Sequence, residues 1–175
     1  MSTWPSIPAV FYAQARRWQS RPLVYGKRGY HWRPLTWSQV ALRARALAAG
    51  LAELGVEPQA RLAIWASSSP EWVLSDLGTL SAAAVTVPIY EACSQDELVY
   101  ILRESACEGV FVNSAERLEL LRSLSPYLPH LKWLITLDGR EAHDPPQPAS
   151  LSVSFLLSEL EVTAPSAEVP QLTVR

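Results

Sequence analysis

Glycine is scarce in this chain, at seven residues in 175, and no G-x-G-x-x-G or G-x-x-x-x-G-K-[ST] pattern occurs. Both patterns bring backbone amides onto a phosphate, so neither standard phosphate-binding loop is present. Cysteine is scarcer still. Cys93 and Cys107 lie fourteen residues apart, without the close Cys pairs or Cys/His spacing of structural zinc, and such sparse usage fits a reducing cytoplasm. The formal net charge is −2, and the fifteen basic residues include no Lys/Arg run that could track a phosphate backbone. Nucleic acid is therefore not expected as a partner. The N-terminal residues MSTWPSIPAV lack the basic segment and apolar core of a signal peptide. The uncharged stretch 77–90 is too short, and too interrupted by Gly78, Ser81, Thr86 and Pro88, to span a bilayer. These absences together predict a soluble, cytoplasmic chain with no transmembrane segment.

What is present is a core. Apolar residues make up 49% of the chain, enough for one ordinary folded domain. The organising stretch is 62–90, LAIWASSSPEWVLSDLGTLSAAAVTVPIY. It reads as an apolar strand over 62–66, a polar turn, a helix opening at Pro70, and a β-branched strand over 85–89. Ser69 is placed to cap that helix, Pro70 suits its first position, and Glu71 favours the positive end of the dipole.

Around this β-α-β unit the remaining elements can be read in order. Ile7, Phe11, Ala15 and Trp18 share one face of an opening helix within 1–20. Short β-prone runs at 23–25 and 30–32 flank GKRG, which predicts a hairpin turn with Lys27 and Arg28 at its tip, solvated or holding an anion. Thr36 and Gln39 form a capping box for a helix whose buried stripe is Val40, Ala44, Leu47, Leu51 and Leu54, stopped by Gly55. Ser94 and Glu97 form a second capping box, turning Leu98, Ile101 and Leu102 inward. A strand at 109–112 leads to a helix capped by Ser114, with Leu118, Leu121 and Leu124 on one face and Pro126 and Pro129 preventing its continuation. A fourth strand spans 131–137. Strand starts near 62, 85, 109 and 131 leave room for one crossover helix each, the spacing of a parallel sheet. The fold class is therefore α/β, a doubly wound parallel sheet with a small N-terminal hairpin. Beyond 138 the chain turns proline-rich and loop-like, with a helical turn or two at 155–160.

Parallel α/β sheets bind ligands beyond the carboxyl ends of their strands, here loops 66–69, 90–94, 113–114 and 138–140. Ser67, Ser68 and Ser69 could offer hydroxyls and helix-terminal amides to an anion, although capping already accounts for them. His31, His130 and His143 are too dispersed for a metal cluster or nucleophile–base pair. Cys93 has no recognisable His partner and reads as a small hydrophobe. Glu91 and Asp96 suggest paired carboxylates, but Asp96 is better explained as a first-turn charge. No catalytic, cofactor-binding or metal residue is assigned.

The stretch LTWSQVALRARALAAGLAELGVEPQARLAIWASSSPEWVLSDLGTLSAAAVTVPIYEACSQDELVYILRESACEGVFV resembles the N-terminal region of AMP-forming acyl-CoA synthetases, especially the long-chain fatty acyl branch. Leu35-Thr36-Trp37, Leu54-Gly55-Val56, Pro70-Glu71-Trp72, 85–90 and Tyr100-Ile101-Leu102 come in the family's order, and the resemblance covers 7–138. It implies the adenylate-forming fold and a full enzyme using ATP and Mg2+ to convert a fatty acid to an acyl-adenylate, then to a thioester of coenzyme A. The family's phosphate loop would follow Arg175, and its magnesium Glu and adenylating Lys have no matching positions. Residues 1–137 then correspond to the N-terminal α/β subdomain, and 138–175 to a proline-rich loop, short helix and linker. Such a part is expected to be inactive, to bind none of these cofactors, and to self-associate through an exposed subdomain interface. The alternative is a free-standing, non-catalytic interaction module pairing with a separately encoded remainder. Two departures stand out: Ser68 or Ser69 where the family often has Asn, and Ala83 where Gly is common, a change expected to crowd a helix–strand contact.

Overall fold

A computed structural model describes residues 6–28, 30–137 and 151–152. Helix α1 (Ile7–Trp18) begins at Ser6, whose hydroxyl accepts the Ala9 amide. Of its expected stripe, Phe11 and Ala15 are buried while Ile7 is exposed. Trp18 meets Trp37 edge-on at 4.8 Å between ring centroids, and Phe11 stacks on the same ring at 5.7 Å. One indole thus fastens α1 to the start of the next helix.

Strands β1 (Pro22–Arg28) and β2 (His31–Thr36) form an antiparallel ladder that continues to the pair Arg28↔His31. The expected GKRG turn is therefore displaced: Gly26 and Lys27 are paired strand residues, opposite Arg33 and Trp32. Gly26 serves a close approach instead, since a Cβ there would stand 2.9 Å from Pro70 Cγ.

Helix α2 (Trp37–Glu53) starts with the capping box expected: Thr36 Oγ1 accepts the Gln39 amide, and Gln39 Oε1 accepts the Thr36 amide at 2.9 Å. Val40, Ala44, Leu47 and Leu51 are buried, with Leu54 at the edge of the core. Strand β3 (Arg61–Trp65), α3 (Pro70–Ser81) and β4 (Val85–Pro88) form the β-α-β unit, with Ser69 Oγ accepting the Trp72 amide at 3.1 Å. Helix α4 (Gln95–Glu104) carries the second capping box, Ser94 with Glu97. Strand β5 (Gly109–Val112), helix α5 (Ala115–Leu124) capped by Ser114, a 3₁₀ turn over Ser125–Tyr127 and β6 (Trp133–Thr136) follow. A two-residue strand β7 (Leu151–Ser152) pairs parallel with β6, where no strand was expected. Two residues carry no periodicity by which a sequence could announce them. The helix expected at 155–160 and His143 lie outside the described residues.

Strand order is β4-β3-β5-β6-β7, with every pairing parallel. Residues alternate between two cores along each strand, as a sheet covered on both sides requires. Ala63, Trp65, Val110, Val112 and Leu134 meet Leu98, Leu102, Leu118, Leu121 and Leu124 of α4 and α5. Leu62, Ile64, Phe111, Trp133 and Ile135 face the opposite way, with Leu47 and Leu51 of α2. Leu74 and Leu77 of α3 join Phe11, Val40 and Ala44 in a third cluster. At the α2–α3 crossing Gly78 admits Leu47, whose Cδ2 would lie 2.5 Å from any added Cβ.

Three helices end in the same turn. The amides of Gly55 and Val56 bond the carbonyls of Ala52 and Leu51, those of Ala83 and Ala84 bond Leu80 and Thr79, and those of Ala106 and Cys107 bond Arg103 and Leu102. This is the Schellman arrangement, whose penultimate residue is left-handed. Gly55 takes it at φ +82°, but Ala83 and Ala106 take it at +58° and +47°. The departure at Ala83 thus has a backbone consequence, a methyl where glycine would avoid strain.

Two measurements follow. Gly78→Val forces branched bulk onto Leu47 and is expected to destabilise the chain by roughly 2–3 kcal/mol in urea unfolding. Ala83→Gly relieves left-handed strain of about 1–2 kcal/mol against a chain-entropy loss of about 0.4–1 kcal/mol. A net gain of several tenths of a kcal/mol or more is expected, and a loss would contradict this account.

Candidate functional site

Because β4 leaves β3 on one side and β5 joins it on the other, the strand order reverses at β3. A crevice opens where crossovers depart in opposite directions, and ligands of open α/β sheets bind there. The loops after β3, β4 and β5 do converge at this end, and a hydrogen-bonded cluster joins them.

Glu91, in the loop after β4, accepts from Ser67 Oγ at 2.5 Å and from Arg117 Nη2 at 3.0 Å on the same oxygen, Oε1. Ser67 Oγ in turn accepts from Asn113 Nδ2 at 3.2 Å. Arg117 Nη1 donates to Asn113 Oδ1 at 2.8 Å and to the Trp65 carbonyl at 3.3 Å. Nη2 also reaches the Glu91 carbonyl at 3.4 Å. The Trp65 indole donates to that carbonyl at 3.3 Å, and the Arg117 guanidinium lies 4.9 Å over the Trp65 ring. Arg117 is therefore a clamp: its planar fork ties two backbone carbonyls to the side chains of Asn113 and Glu91 and covers an aromatic face, a combination lysine cannot reproduce.

The electrostatics follow from these contacts. The Ser67 hydroxyl, then the Arg117 guanidinium, hold the Glu91 carboxyl below the usual carboxylate range. Its partner Arg117 is mostly covered, while Glu91 is half-exposed. Cys93, in the same loop, packs against the α4–α5 core. Burial first, then the Glu97 charge, push its thiol up, which disfavours a thiolate nucleophile. Ser69 is occupied as a helix cap, and Ser68 is exposed. Asp96 sits in the first turn of α4, and Glu91 pairs with Ser67 and Arg117 rather than with it. His31 and His130 are exposed and lie on different segments. Lys27 lies along β1. Loop 138–140 lies outside the described residues.

The residue that sequence reasoning missed is Arg117. Asn113 and Arg117 stand four apart across the start of α5, a spacing that places side chains together on a helix. That was the available signal, but one such pair among many arginines is not distinctive.

A family model described as AMP-binding enzyme matches residues 11–169. The chain belongs to that family. The long-chain-fatty-acid–CoA ligase FadD15 of Mycobacterium bovis is 32% identical over 108 residues, 62% of this chain and 18% of that protein. The human long-chain-fatty-acid–CoA ligase ACSBG1 is 30% identical over 138 residues, 75% of this chain and 19% of that protein. The chain thus spans about a fifth of the length of these relatives. Among solved structures, the anthranilate CoA ligase AuaEII in complex with anthranoyl-AMP superposes with a TM-score of 0.70 at 23% identity, covering 78% of this chain and 25% of that one. A crystal structure titled putative long-chain-fatty-acid CoA ligase from Rhodopseudomonas palustris gives 0.64 at 20% identity, over 75% and 32% of the two chains. The family's N-terminal α/β architecture is shared with these structures.

The clamp has a pH signature. A carboxylate with a lowered folded pKa stabilises the fold above its unfolded pKa, and that contribution is lost as pH falls through the folded value. Glu91→Gln should therefore flatten the acid limb of stability, measured as urea midpoint from neutrality down through the carboxylate range. Arg117→Ala should cost about 2–3 kcal/mol at neutral pH, because it strips donors from two carbonyls and a carboxylate. An unchanged acid limb in Glu91→Gln would contradict the clamp.

Proposed function

We propose that this chain is the N-terminal part of an AMP-forming long-chain fatty acid–CoA ligase. The observation carrying this reading is the family match over 159 of 175 residues, joined to curated relatives named for long-chain-fatty-acid–CoA ligation. In the whole enzyme a fatty acid and ATP would give an acyl-adenylate and pyrophosphate, and coenzyme A would take the acyl group as a thioester. Adenylation replaces a poor leaving group by a good one, and a cation offsets the phosphate charge that moves during displacement.

The described residues do not fit ATP or Mg2+. No group of three His, Cys, Asp or Glu among them could hold a metal ion, and the polar groups of the Glu91–Arg117 cluster already satisfy one another. In this reading those groups are held by the rest of the enzyme, and the clamp sets the shape of the subdomain's ligand-facing end. Residues 1–137 are the α/β subdomain, and 138–175 lead towards the phosphate loop. The setting we infer is the cytoplasm; among the described residues no helix is long and apolar enough to cross a membrane. Strand β4, paired only with β3 among the described strands, is the edge through which the isolated chain would self-associate.

The test is fatty-acid-dependent ATP–pyrophosphate exchange. The 175-residue chain is expected to give none, and the same chain continued through a family phosphate loop and C-terminal domain is expected to give exchange with long-chain acids. Exchange by the 175 residues alone would overturn this reading.

A further inference from the structure

A second concavity lies outside the Glu91–Arg117 cluster. A cleft of about 600 Å³ runs between α4 and the 3₁₀ turn that follows α5. Val99 and Leu124 give it an apolar floor, and Tyr100 and Tyr127 bring one ring from each wall. These rings are 66% and 63% exposed, so neither is there to fill the core.

The polar side chains of the cleft are also unspent. Asp96, Tyr100, Arg103, Glu104 and Tyr127 make no side-chain hydrogen bond or ion pair with any described residue. Neighbouring charges are paired, Glu91 with Arg117, Glu119 with Arg122 and Glu108 with Lys132. Positions 96, 100 and 103–104 recur at three to four residues, so an acid, a ring and a pair of mixed sign follow one another along one stripe of α4. Arg103 and Glu104 offset each other at one end, while no side chain compensates Asp96 at the other. Residues 91–119 together hold seven Asp or Glu and two Arg. Such a surface repels polyanions and draws in a cation.

Shape narrows the occupant further. A small molecule is ordinarily enclosed by its pocket over most of its surface, whereas this cleft leaves both rings largely in solvent. An amphipathic helix docks through apolar anchors at i, i+3 or i+4 and i+7, and a floor of two apolar residues is too small for them. A polyproline II segment meets both conditions. The α4 wall from Gln95 to Glu104 is about 14 Å long, a span covered by about four or five residues rising roughly 3.1 Å each, and such segments are recognised by grooves lined with aromatic rings. The chain's own proline-rich run has the wrong sign, since 138–144 carry Asp138, Glu141 and Asp144 against Arg140.

We propose that the α4–α5 cleft docks an extended, proline-containing segment of a partner protein, with a basic residue of that segment at Asp96. The inference goes beyond the ligase reading and is measured without catalysis. The probe is the peptide Arg-Pro-Pro-Leu-Pro-Pro-Ala carrying fluorescein at its C-terminal end, titrated with the 175-residue chain and read by anisotropy. Saturable binding that weakens as salt rises is expected. Alanine in place of every proline of the peptide should weaken binding about fivefold or more, because the preformed extended conformation is lost. Tyr100→Ser with Tyr127→Ser should weaken it about tenfold or more. The conservative pair Tyr100→Phe with Tyr127→Phe should retain it within about threefold, which guards against misfolding of the serine variant. Asp96→Lys should weaken binding of this peptide about fivefold and strengthen, by a similar factor, binding of the same peptide with Glu in place of Arg, a reversal that loss of fold cannot produce. The proposal is overturned by absence of saturation at millimolar chain, by equal binding of the alanine peptide, by failure of the charge reversal, or by self-association of the chain that the serine pair abolishes, which would assign the cleft to a second copy.

Discussion

Strand β3 bonds β4 along one edge and β5 along the other, while its side chains enter two different cores. Leu62, Ala63 and Ile64 are fully buried as a result. A strand enclosed in this way can tolerate neither a register slip, which would exchange its two faces, nor a charged residue along its middle. It also fixes where the sheet reverses, and so where its loops diverge and converge. Helices α3 and α4 leave and re-enter on opposite faces because β3 stands between β4 and β5. Arg117 can reach the backbones after β3 and β4 only because those strand ends are brought level beside its own.

Local chemistry in the chain accounts for most of this. Each expected N-cap, at Thr36, Ser69, Ser94 and Ser114, makes its bond, because a short polar side chain before an apolar period has few other uses. Strand positions were likewise legible, since the crossover spacing of a parallel sheet leaves few arrangements. Features depending on tertiary approach were not. Gly26 looks like a turn residue until Pro70 is seen against it. Ala83 and Ala106 give no sign in the sequence of a left-handed conformation, because alanine ordinarily avoids it. The Arg117 clamp joins loops that lie 26 and 52 residues away along the chain, and no local pattern encodes such a meeting.

The cluster at the sheet end contributes structure more than chemistry. Its donors and acceptors are spent on one another, so what it supplies is position: the loops after three strands are held in one geometry by a guanidinium. Preorganisation of this kind is useful to reactions whose reactive groups come from elsewhere, since it removes loop entropy before substrate arrives.

The contact of Gly26 with Pro70 links two parts of the molecule at close quarters. Pro70 is the first residue of α3, Ser69 caps it, and Ser67 belongs to the Arg117 cluster three residues upstream. The hairpin therefore rests on the same turn of chain whose other end is bonded into the mouth of the sheet. A side chain at position 26 would lift the ribbon from its seat, whereas glycine lets the ribbon's backbone meet the Pro70 ring directly. Force on the ribbon is delivered to a proline ring at the base of a capped helix, a stiff joint, and its lever arm to the bonded loops at the mouth of the sheet is only three residues long.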